Sequence, residues 1–127
     1  MSLLALNRIR LADGHSTSLV VELLAWLFRT LGDATRLRLL ELLLEEGELH
    51  QMELVRRLGA TQARVSEHMI CLVWCGFVQS RTEGRRTLYR VKDRKVRALV
   101  DQARRYLEAN EAQIACCRRI DATTEEG

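Results

Sequence analysis

Four cysteines carry the most distinctive chemistry in this chain, and they fall in two pairs, Cys71 with Cys75 and Cys116 with Cys117. Residues four apart on a helix have Cβ atoms about 5–6 Å from each other on one face, so the sulfurs of Cys71 and Cys75 can converge on one ion without strain. Thiolates prefer soft ions, and cadmium, lead, mercury or cuprous copper suit such a pair better than magnesium or calcium. The plainer reading makes free cysteines small buried hydrophobes, and for Cys71 and Cys75 alone the two readings weigh equally. Cys116 and Cys117, next to Arg118-Arg119 and a polar terminus, fit a buried role poorly and tip the balance toward thiol chemistry. There is no C-x-x-C, no glycine-rich phosphate loop and no nucleophile with an evident base, which argues against an enzyme.

The residues just before the first thiol pair have a different chemistry. Gly59 signals a turn, Thr61 can cap a helix, and Val65, Met69, Leu72 and Val73 repeat at the spacing of one buried stripe. Gly76 ends the pattern. The first half of this helix is polar, with Gln62, Arg64, Ser66, Glu67 and His68 available to face base edges or phosphates. Preceded by a short helix and a tight turn, it reads as the second helix of a helix-turn-helix, the element that enters a major groove. Thr61, Gln62, Arg64, Ser66 and His68 are therefore candidate DNA contacts, His68 either touching phosphate or packing. A solvated helix face is the bland alternative.

The segment after this helix favours DNA. Phe77–Thr82 and Arg86–Val91 are β-prone runs around Glu83-Gly84, a hairpin signal, and Arg81, Arg85 and Arg86 sit at its tip. A basic hairpin after a recognition helix is a wing, placed to run along a phosphate backbone or enter a minor groove. The net charge of +3 hides an uneven distribution: residues 81 to 119 hold 12 basic and 5 acidic side chains, and the rest of the chain is net negative. A basic second half suits a polyanion surface.

Other elements must position these groups. Residues 1–15 read as an arm or short helix. Ser16 or Thr17 can cap a helix to about Leu31 that is apolar on two sides, as expected of a helix buried against its own core and a second subunit. Asp33 recaps the chain for a helix from Ala34 to about Glu46, whose leucines at 37, 39, 40, 42, 43 and 44 supply core and which Gly47 stops. Residues 49–58 form a short helix. Trp26 and Trp74 read as core or interface, His15 and His50 as surface. Asp93 caps a long helix with Val96, Leu99, Val100, Ala103, Tyr106 and Leu107 in register, half of a dimer interface with the 17–31 helix. The fold class is mainly α with a β-hairpin wing, a winged helix-turn-helix dimerising through its N- and C-terminal helices. The domain spans 16–115, with dimerisation helices at about 17–31 and 93–115, and 116–127 is a polar tail carrying thiols.

At 127 residues and 47% apolar, the chain suits one domain with a real core. No apolar run reaches the roughly 18 residues of a bilayer span, and Arg8 and Arg10 come after the apolar start, the wrong order for a secretory signal. A cytoplasmic protein with reduced thiols is expected.

Taken together, Leu31-Gly-Asp-Ala-Thr-Arg-Leu-Arg-Leu-Leu40, Leu54-Val-Arg-Arg-Leu-Gly59, Val65-Ser-Glu-His-Met69 and Gly84-Arg-Arg-Thr-Leu-Tyr89 resemble, in register, the ArsR/SmtB family of metal-responsive winged-helix repressors. The resemblance covers roughly residues 24–115. One metal site of that family uses two cysteines where this chain has His50 and Met52; another uses His and carboxylates of the final helix, where this chain has no His. Cys71, Cys75 and a C-terminal cysteine are instead similar to the cadmium/lead sensors of the CmtR type. There two thiolates of the recognition helix join one from the C-terminal region of the other subunit. The resemblance implies Cys116 or Cys117 as third ligand, and adjacent helical residues point about 100° apart, so one of the two would serve. It implies a homodimer on double-stranded operator DNA, released by a heavy-metal ion such as Hg(II), Cd(II) or Pb(II), with no organic cofactor. A redox- or arsenite-sensing thiol switch, or purely structural zinc, is the alternative.

Overall fold

The computed structural model describes residues 15–126, and side chains from 17 to 119. The 1–14 arm lies outside the described residues. The chain divides into two compact units, one ending at Lys92 and the other beginning at Asp93.

The first unit includes α1 (His15–Leu31), whose described span already contains Ser16 and Thr17. Helix α2 (Ala34–Glu46) begins where expected, the Asp33 carboxylate accepting a hydrogen bond from the Arg36 N–H at 3.0 Å. That bond holds the Asp33 carboxyl below its ordinary range, with His68 close enough to add to the effect. Strand β1 (Leu49–His50) and helix α3 (Gln51–Leu58) replace the single helix expected over 49–58. His50 is extended (φ −70°, ψ 148°), and Leu49 and His50 pair with Tyr89 and Leu88. Pairing to a distant strand outweighs the local helical pattern. Gly59 turns the chain at φ 69°, where a side chain would be strained, into α4 (Gln62–Trp74).

Strands β2 (Val78–Glu83) and β3 (Arg86–Val91) form the antiparallel wing, with Glu83 opposite Arg86 and Gly84 at φ 64° in the two-residue turn. The sheet order is β1-β3-β2. The core draws on every layer: Leu39, Leu40 and Leu43 of α2, Leu54 of α3, Val65, Met69 and Leu72 of α4, then Phe77, Val78, Leu88 and Tyr89. Each large side chain so buried stabilises the fold by about 1.5–3 kcal/mol. Leu37, Leu42 and Leu44, expected in this core, are only half-buried. Leu88 and Tyr89 point to opposite faces of β3 and both are buried, so each side of the strand is covered; the Tyr89 hydroxyl donates to Gln51 Oε1 at 3.1 Å, and burial raises its pKa.

Helix α1 contrasts with α2. Thr30 is buried, yet Val21, Leu23, Leu24, Trp26 and Phe28 are exposed, Phe28 at 61%. The second unit is α5 (Arg94–Glu126), begun by Asp93, whose carboxylate accepts from the Lys95 N–H at 2.7 Å. Val96 and Val100 of its apolar stripe are buried, while Tyr106 and Leu107 are exposed. Asn110 is non-helical (φ −129°, ψ 19°), a kink within α5, and its side-chain amide donates to the Tyr106 carbonyl at 3.0 Å. Beyond it the helix runs to Glu126, through the residues whose composition suggests a polar tail.

Candidate DNA-reading helix and thiol site

The seating of α4 decides which of its side chains can do anything. Thr61 caps it, its hydroxyl oxygen accepting from the Arg64 N–H at 3.2 Å. At about 100° per residue, Val65, Met69 and Leu72 make one buried stripe. Ala63, Glu67, Ile70 and Trp74 stand opposite it, all exposed. Gln62 and Ser66 lie on one flank. Arg64, His68, Cys71 and Cys75 lie on the other. The exposed outer row was not evident from residue types, and the signal that locates it is the phase of the buried stripe. Trp74, 84% exposed, is outside the core of its own chain, as is Trp26 at 58%.

The flank with the thiols faces the junction of α1 and α2. His68 is half-buried near Asp33, and Cys75 Sγ lies 3.5 Å from Thr30 Oγ1. Cys75 forms the C-cap of α4, its N–H donating to the Cys71 carbonyl at 3.0 Å, so the thiols stand one turn apart as their spacing requires. Cys71 is half-buried and Cys75 exposed, and neither is sealed in hydrocarbon. Two accessible sulfurs on adjacent turns fit a soft metal ion as a bidentate half-site. Within this unit no third His, Cys, Asp or Glu among the described residues completes a metal-binding group. Cys116 and Cys117 belong to the second unit, exposed on α5 beyond the Asn110 kink.

The candidate DNA contacts separate into two groups. Gln62, at the start of α4, lines a cleft of about 590 Å³ together with Arg85 and Arg86 of the wing and His50, Met52 and Arg56 of the β1–α3 segment. This is where the N-terminal end of α4, the candidate reading end, and the hairpin turn meet. Arg81 lies elsewhere. It pairs across to Leu88, three positions before the turn, and its guanidinium Nε donates to Glu48 at 2.8 Å while Nη1 lies 3.1 Å from Glu83. Donation from Arg81 pulls the Glu48 carboxyl down, and the same bond pushes the guanidinium higher still. Arg81 thus braces the wing's base against the residue preceding β1. His50, expected on the surface, is half-buried, and its enclosed Nδ1 has no hydrogen-bond partner among the described residues.

No helix among the described residues is long and apolar enough to cross a membrane. Residues 33–80 match the family model described as bacterial regulatory protein, arsR family. Over 99 residues the chain is 43% identical to a Streptomyces lividans protein named "Probable mercury resistance operon repressor", covering 78% of each. It is also 43% identical over 70 residues to the HTH-type transcriptional regulator CmtR of Mycobacterium tuberculosis, covering 55% of this chain and 58% of that protein. In three dimensions it is similar to a homodimeric winged helix-turn-helix DNA-binding domain, Mb0332 of Mycobacterium bovis. The TM-score there is 0.69 at 23% identity, over 76% of this chain and 89% of that one. On these matches the chain belongs to the ArsR family of bacterial regulatory proteins, and is a DNA-binding transcriptional repressor rather than an enzyme.

Proposed function

We propose that this repressor is metal-responsive, holding a pseudo-palindromic operator as a metal-free homodimer and releasing it when Cys71 and Cys75 take up a thiophilic ion, Hg(II), Cd(II) or Pb(II). The observation that carries the reading is the shared flank of α4, where Arg64 and His68 stand in line with Cys71 and Cys75. Cys116 or Cys117 supplies a third thiolate. The mercury-resistance name of the Streptomyces lividans relative supports metal response, and the Mb0332 homodimer supports twofold assembly. So does the row of exposed apolar side chains on α1, which a second copy would cover.

In the DNA-bound form two copies of α4 occupy successive major grooves about 34 Å apart. Gln62, Arg64 and Ser66 face the bases or their phosphates, and Arg85 and Arg86 lie along the backbone. Coordination through Cys71 and Cys75 ties down the C-terminal turn of the same rod, which then disfavours the seating its N-terminal turn needs. Passing from mostly bound to mostly free requires about 5.5 kcal/mol of differential binding. A thiolate site worth about 10 kcal/mol or more has room for that. Because the thiols must give up protons, induction weakens as pH falls.

The test is an operator-binding titration with Cd(II) or Hg(II). Cys71→Ser is expected to keep operator affinity within a few-fold and abolish metal-induced release. Release that survives in Cys71→Ser refutes the site. Release by peroxide or As(III) alone identifies a different thiol switch, and unfolding on chelation identifies structural zinc.

A further inference from the structure

Thr30 is a buried polar side chain, 2% exposed, and it meets the thiol at the end of α4. Its hydroxyl donates to the Trp26 carbonyl at 3.1 Å and lies 3.5 Å from Cys75 Sγ. Its own carbonyl accepts from Arg36 Nε at 2.8 Å, and Arg36 is itself the N–H that Asp33 caps. The last turn of α1, the start of α2 and the end of α4 are therefore joined through one threonine.

A hydroxyl has one proton and two acceptor lone pairs. With that proton on the Trp26 carbonyl, Thr30 Oγ1 is left to accept, and the Cys75 S–H is the donor that faces it. When Cys75 exchanges its S–H for a bond to a metal ion, the proton passing to water, the sulfur can only accept. Two acceptors would then face each other across a part-buried contact, which is unfavourable. Rotation about the Thr30 Cβ–Oγ1 bond removes the conflict by turning the hydroxyl proton onto the sulfur. The Trp26 carbonyl keeps its ordinary helical N–H partner and loses only its second donor.

We infer that Thr30 is a positioning residue for Cys75: it orients the thiol in the free protein and donates to its sulfur once coordinated, so that occupation of the thiols is felt in the last turn of α1. The inference rests on the reading of Cys71 and Cys75 as ligands, and it extends that site to a residue 45 positions away. Partners of this kind around a metal ligand are worth roughly 10–100-fold in metal affinity.

The experiment compares Thr30→Val, which keeps the shape and removes the hydroxyl, with Thr30→Ser, which keeps the hydroxyl. Cd(II) affinity is expected to fall at least about tenfold in Thr30→Val and to stay within about threefold in Thr30→Ser. The thiolate-to-cadmium absorption band should move to lower energy only in Thr30→Val, because the sulfur lone pairs lose a donor. A second readout needs no metal. In a protein whose other three cysteines are serine, the Cys75 S–H stretch should rise in frequency on Thr30→Val and not on Thr30→Ser. Thr30→Ala gives the same comparison should Thr30→Val not fold. Unchanged affinity and band position in the hydroxyl-free variant overturn the assignment. A wild-type protein with no thiolate–cadmium band at all, but with the S–H shift present, overturns the ligand reading and with it the role in coordination.

Discussion

The two ends of α4 are both solvent-accessible and both chemically equipped, yet they are held in place by different means. The reading end is fixed locally: Thr61 caps it through a hydrogen bond three residues long, and Gly59 sets the turn before it. The thiol end is fixed from a distance, Cys75 resting on Thr30 at the far end of α1. A locally capped end keeps its shape while the rod is shifted as a whole. An end anchored to another helix passes on what happens to it. The difference suits a device in which chemistry at one end changes the seating of the other without unfolding either.

The strongest way to break the contrast is to remove what both ends share. Met69→Ala empties a fully buried position midway along α4 and is expected to cost about 2–5 kcal/mol of stability, measured by denaturant unfolding. Operator binding and metal binding should then decline together. Arg64→Ala separates them: operator binding should weaken about tenfold or more, within the roughly 1–3 kcal/mol of one arginine contact, while calorimetric metal affinity stays unchanged. Thr61→Ala sharpens the reading-end half of the comparison. Loss of the cap should lower stability by about 1 kcal/mol and leave the thiol-to-metal absorption untouched.

The smallest effect concerns Asp33, near His68 on the thiol-bearing flank. Its carboxyl is held low chiefly by the Arg36 N–H, so its contribution is complete above the unfolded value, about pH 4, and is lost as pH falls from there through the lowered folded value. Asp33→Asn retains a capping oxygen without the titration. Wild type should therefore lose more stability than the variant on acidification below about pH 4, by roughly 0.5 kcal/mol or less for a group that solvent still screens. A parallel decline of the two unfolding midpoints would contradict this.

Much of this protein is written in short-range chemistry. Asp33 and Thr61 cap the helices directly after them, Gly59 and Gly84 take the turns their neighbours require, and Val65, Met69 and Leu72 recur at the period of a buried stripe. Each depends on groups within a few residues, so type and spacing suffice, and the one-turn separation of Cys71 and Cys75 belongs with them. Leu49 and His50 show where that stops, because their strand exists only through β3, some forty residues on.

What only the tertiary structure decided is orientation. The chain alone does not say that Cys75 meets Thr30, that Glu48 draws Arg81 away from the cleft where Gln62 meets Arg85 and Arg86, or that Trp74 turns outward. The phase of a helix about its own axis, and the direction a strand side chain takes, are set by the summed packing of remote elements on the buried stripe. No local pattern encodes that sum, and here it puts the thiols in line with Arg64 and His68.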